Sequence, residues 1–107
     1  MTSTNTKHAR QAVKTALDNN NRFHNEVVRQ WNRDLNATAN LITRPEWLRE
    51  ESRRNYETLE QLDVAIDAAV REAHRAGVRR STLERYADQY AHRCAAYDTA
   101  IGLYYGF

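Results

Sequence analysis

The chain has almost none of the residues that punctuate strands and turns. One proline and three glycines stand in 107 residues. Strand-rich folds need those residues at their turns, so their scarcity argues for a few long helices joined by short loops. A single cysteine, Cys94, excludes an internal disulfide. No apolar run approaches the roughly 20 residues that a membrane-spanning helix needs. Met1 to Thr6 is polar where a secretory leader would be apolar. The expectation is a cytoplasmic protein with no membrane partner.

Chemical signatures are as sparse. The glycines stand apart at 77, 102 and 106, which leaves no glycine-rich phosphate loop. There is no Gly-x-Ser-x-Gly elbow for a nucleophile. A di-iron bundle needs Glu-x-x-His, and none occurs; Glu72 and His74 are two apart and point to different helix faces. None of His8, His24, His74 and His92 lies three or four residues from another histidine, so no zinc pair shares a helix face. No catalytic residue, metal or cofactor is expected. Cys94 reads as a small buried hydrophobe.

What is present is periodicity. Val13, Leu17, Asn20, His24, Val27, Trp31, Leu35, Thr38 and Leu41 form a seam at three- and four-residue steps. Leu59, Leu62, Ile66, Ala69, Ala73 and Ala76 form a second. Leu83, Tyr86, Tyr90, Cys94, Tyr97, Ile101 and Tyr104 form a third. Such stripes are the signature of amphipathic helices. They predict an all-α fold, a single-domain antiparallel three-helix bundle with long, coiled-coil-like helices near 5–42, 45–76 and 82–101. The expected core is Leu17, Val27, Trp31, Leu35, Leu48, Leu59, Leu62, Ile66, Val70, Leu83, Tyr90, Cys94, Tyr97 and Ile101.

Boundaries follow from local chemistry. Thr43-Arg44-Pro45-Glu46 has the form of a capping box with proline in the first turn. Gly77 fits a helix C-terminus after His74-Arg75-Ala76, and Ser81-Thr82-Leu83-Glu84 supplies a second box. Asn19-Asn20-Asn21 weakens helix propensity, but the seam keeps its phase through it, so the first helix is expected to continue. Asn20 and His24 would form a polar layer in the seam.

The charge is uneven. Residues 1–33 carry six basic and two acidic groups, residues 34–67 four and eight, and residues 68–107 six and four. Fourteen of the sixteen basic residues are arginine, which suits phosphate or carboxylate. Residues 70–86 resemble the helix-turn-helix of bacterial regulators. The pattern is a small residue (Ala73), the turn glycine (Gly77), an aliphatic (Val78), hydroxyl residues and a second aliphatic (Leu83). That resemblance implies DNA contacts by Arg79, Arg80, Ser81, Thr82 and Arg85.

The leading expectation is a non-enzymatic protein that binds a protein or nucleoprotein complex. Bacteriophage and mobile-element inhibitors of host defence, anti-CRISPR proteins among them, are similar in size and helical build. A DNA-binding transcriptional regulator is the alternative. The tail Leu103, Tyr104, Tyr105 and Phe107 is expected to fold back on the bundle or to contact a partner, including a second copy in a homodimer.

Overall fold

The computed structural model describes residues 2–91 and 93–106. Among them all regular secondary structure is helical, with no strand. Helix α1 runs Thr2–Phe23, passes into a π-helical turn at His24–Val28, and continues as α2, Arg29–Ala37. After a loop at 38–45, α3 runs Glu46–Arg75 antiparallel to it. The Thr6 hydroxyl donates to the Ala76 carbonyl at 3.2 Å, which ties the start of α1 to the end of α3.

The third expected helix is two. Helix α4 spans Arg80–Ala87 and α5 spans Ala95–Tyr105, with residues 88–94 turning the chain back between them. The predicted three-helix bundle is therefore corrected to four packed helical rods. The turn has no glycine or proline to announce it. Arg93 explains its geometry. Its guanidinium meets Glu84 at 2.9 Å, Asp88 at 3.0 Å and Asp98 at 2.8 Å. In one continuous helix, nine steps of roughly 100° each would put Arg93 on the side opposite Glu84. Folding back lets one cation bind carboxylates from the end of α4 and the start of α5. The same fold-back buries Tyr97, Ala100, Ile101 and Gly102 of the mostly apolar α5 against α3.

This topology divides the molecule lengthwise, over extents of 58 × 23 × 21 Å. In the head, α4 descends and α5 returns beside α1 and the C-terminal half of α3. The main core lies here: Val13, Leu17, Ile66, Val70, Ala73, Val78, Leu83, Tyr97 and Ile101. Beyond it projects an arm of two helices only, α2 and the first half of α3. Trp31 and Leu48 are buried there, and Trp31 Nε1 donates to Ser52 Oγ at 2.8 Å.

The expected core sorts along this division. Leu17, Trp31, Leu48, Ile66, Val70, Leu83, Tyr97 and Ile101 are buried. Val27, Leu35, Leu59 and Leu62 are half-buried, because they lie where α4 and α5 no longer cover the seam. Tyr90 and Cys94 are half-buried because they sit in the turn rather than in a helix. Asn20 is buried, and His24 is half-buried in the π turn. The helix does continue past the three asparagines.

Of the three predicted caps, one forms. Gly77 has φ 81°. Its N–H donates to the His74 carbonyl at 3.1 Å, and the Val78 N–H donates to Ala73 at 2.9 Å. This is a Schellman closure with its apolar contact, Val78 on Ala73, buried. Neither capping box forms. Proline disfavours helical geometry at the residue before it, so Arg44 stays outside and Pro45 itself takes the cap position with ψ 149°. At the second corner the chain enters α4 at Arg80, which leaves Ser81 and Thr82 inside the first turn and Arg79 as an uncapped N-cap.

Candidate interaction surfaces

Three surfaces carry side chains that could meet a partner. The first is the corner between α3 and α4. Its apolar half matches the resemblance, with Ala73, Val78 and Leu83 buried. Arg79, Ser81 and Arg85 are exposed, and Thr82 is half-buried. Arg80 is engaged within the chain. It donates to the Gly106 carbonyl at 2.7 Å and lies 3.6 Å from Glu84. The structure thus brings Arg79, Ser81 and Arg85 to one exposed corner and turns Arg80 toward the C-terminal segment. The helix before this corner has 30 residues and is the backbone of the whole molecule.

The head as a whole is basic. Residues 1–20 and 68–106 hold nine basic and five acidic groups, while residues 21–67 hold seven and nine. One basic side chain of α1 also meets an aromatic ring there. The Lys14 ammonium lies 4.7 Å from the Tyr86 ring centre.

The second surface is the tail. Tyr104 donates its hydroxyl to the Asp67 carboxylate at 2.9 and 3.1 Å, and this bond to an anion raises the phenol's pKa. Tyr105 donates to the Val78 carbonyl at 2.6 Å and packs edge-on against His74, with ring centres 4.8 Å apart. Burial raises its pKa. These two tyrosines are folded back onto the bundle. Leu103 is exposed. Phe107, and His92 beside Cys94, lie outside the described residues. The Cys94 thiol is pushed up by burial first, which disfavours the reactive thiolate.

The third surface, which the seams did not single out, is the arm. Its tip presents Leu41, Ile42 and Trp47 to solvent, with Ile42 wholly exposed. Exposed Arg44 stands among them. Further along α3, Tyr56, Leu59 and Val64 line a shallow groove with Glu60, Asp63 and Asp67. Tyr56 and Val64 are exposed, and Tyr56 meets the buried Trp31 edge-on at 4.9 Å. One signal could have found the tip. Leu41 and Ile42 are adjacent, so at most one can follow the seam, and Trp47 sits beside Leu48 on a different face.

Between the arm's helices, Glu51 has its pKa raised, by burial first and then by the neighbouring Asp34 carboxylate. The Oε2 atom of Glu51 and Nδ2 of Asn55 are buried with no hydrogen-bond partner. Among the described residues, no group of three or more His, Cys, Asp or Glu is placed to hold a metal ion, and no helix is long and apolar enough to cross a membrane. None of the protein families, curated proteins or solved structures compared with this chain matches it.

Proposed function

We propose that this protein is a non-enzymatic binding module that acts by occupying a surface of a protein or nucleoprotein complex. The observation that carries this reading is the bare arm. Five large apolar side chains are exposed along the arm, Leu41 and Ile42 on its end loop and Trp47, Tyr56 and Val64 on α3, where no third helix covers them. Exposed large apolar side chains gathered on one element mark interaction sites in soluble proteins, and Trp and Tyr are the residue types that dominate interface energetics. An inhibitor of a host defence complex, encoded by a phage or mobile element, is one concrete form this function takes. A small rod with an apolar arm and a basic head suits a target made of protein and nucleic acid.

A second reading rests on the α3–α4 corner. Arg79, Ser81 and Arg85 are exposed on a basic head, which suits contacts to DNA phosphates and base edges. One experiment separates the two. The tagged chain is used to capture partners from bacterial lysate with and without nuclease, in three forms: unaltered, Ile42→Ser with Trp47→Ser, and Arg79→Ala with Arg85→Ala. A stoichiometric protein that survives nuclease and is lost only with the arm variant supports the binding module. Capture that disappears with nuclease and with the arginine variant, and weakens steeply with salt, assigns the function to DNA instead.

A further inference from the structure

The arm presents two surfaces of opposite character on one chain. The tip is apolar and basic, with Leu41, Ile42 and Trp47 around Arg44. The groove on α3 is apolar and acidic, with Tyr56, Leu59 and Val64 beside Glu60, Asp63 and Asp67. Among the described residues Arg44, Glu60 and Asp63 form no ion pair, although Arg22, Arg49, Arg53, Arg75, Arg80 and Arg93 all do. The two surfaces cannot meet within one chain. From Glu46 to Glu60 the helix climbs about 21 Å at its ordinary rise.

That separation has a second meaning. The core that α3 shares with Tyr97 and Ile101 of α5 begins at Ile66, and Leu59 and Leu62 lie outside it. The cover formed by α4 and α5 therefore ends near residue 63, and the uncovered stretch of α3 from residue 46 is about 24 Å long. The distance from tip to groove and the length of the bare arm are nearly the same. Two chains laid arm against arm in opposite directions would each place a tip in the other's groove. The start of the partner's α4–α5 cover would act as the stop. Each contact would occur twice, as a two-fold axis requires. The missing half of the four-helix arrangement would be supplied by the partner's α2 and α3.

We infer that the arm's partner is a second copy of this chain, docked antiparallel, with Ile42 and Arg44 of each copy seated against Tyr56, Glu60, Asp63 and Val64 of the other. This inference rests on the reading of the arm as a docking surface and gives it a second occupant beside the foreign complex. Two helices about 10 Å wide and 24 Å long offer about 500 Å² per copy, or about 1,000 Å² in all. That is the lower bound for a specific pair. The dimer is therefore a concentration-dependent one, with a Kd on the order of micromolar.

The test is sedimentation velocity on the intact chain over a wide concentration range, with small-angle scattering at the upper end. The expected result is a mass approaching twice 12.5 kDa and a particle about 90 Å long, since two 58 Å rods overlap by roughly 24 Å. Arg44→Glu alone and Glu60→Arg with Asp63→Arg alone should each weaken association at least tenfold. Both sets in one chain should restore it. These positions are exposed, and circular dichroism confirms that each variant folds. Leu103→Ser, on the tail, should change nothing.

A monomer at every concentration overturns the inference. So does a dimer indifferent to either charge reversal, or one abolished by Leu103→Ser. Its failure is separable from that of the broader reading. A strictly monomeric chain whose arm variant still loses a captured protein ends self-pairing alone. A dimer that obeys the charge reversals stands even where lysate yields no foreign partner.

Discussion

Replacing Tyr97 with phenylalanine should make this protein more stable, the opposite of the usual effect of trimming a core side chain. Tyr97 sits on α5 with no exposed surface, and its hydroxyl is buried with no hydrogen-bond partner. The ring lies under the Arg93 guanidinium, 5.5 Å from its centre. Burial pushes the phenol's pKa strongly upward, with Glu84 adding to the effect. Burying an unmade hydroxyl costs about 1–3 kcal/mol. Phenylalanine keeps the ring and its packing, and vacates a space of roughly 10–15 Å³. At ~24 cal/mol per Å³ that void costs about 0.3 kcal/mol. The net gain is about 1 kcal/mol, which should raise Tm by about 4 °C in a domain of this size. Urea unfolding followed by circular dichroism reads it as a higher midpoint at unchanged slope. A loss of about 0.5 kcal/mol or more would refute the reasoning, because it would show that the hydroxyl makes a native hydrogen bond.

Three further outcomes are expected. Gly77→Ala should cost about 1 kcal/mol in thermal unfolding, through the φ of 81° alone, since nothing lies within 4 Å to clash with the new Cβ. Glu51→Gln should raise Tm at pH 7 and lose that advantage in acid. The folded carboxyl binds its proton more tightly than the unfolded one, whose ordinary value is near 4.5. Native stability therefore falls as pH rises through the folded value, and glutamine removes that loss. The thermal comparison at the two pH values checks the sign. Trp31→Ala should cost about 3 kcal/mol and act on the arm. Hydrogen exchange should accelerate across α2 and the first half of α3 while the amides of α5 keep their protection.

The helical class and the antiparallel pairing of the two long rods were legible in the seams, because burial stripes at three- and four-residue steps arise only from helices that pack. Gly77 was legible because only a residue without Cβ fits the left-handed closure cheaply. The break at 88–94 was not. It brings one arginine to three carboxylates and buries α5 on α3, a long-range arrangement that a stripe of Tyr90 and Cys94 conceals by continuing in phase. Apolar spacing also reports that a face is covered, not by how many helices. Val27, Leu35, Leu59 and Leu62 keep the spacing of Leu17 and Ile66, yet lie where the cover has ended. The candidate surfaces fared similarly. Arg79, Ser81 and Arg85 are exposed at the corner, whereas Arg80 is engaged by the Gly106 carbonyl, 26 residues away. The arm's tip was legible only in part, because Leu41 continues the buried seam in phase while its neighbour Ile42 cannot.

The π turn at His24–Val28 has a consequence for how such a rod can change. A π turn holds one residue more than the α turn it replaces, so it absorbs an insertion without rotating what lies on either side. Head and arm are thus keyed to separate reading phases along a single helix, with a one-residue spare between them. Substitutions that retune the arm's face can accumulate without the head's packing having to follow, so one end of this chain is free to diversify while the other stays fixed.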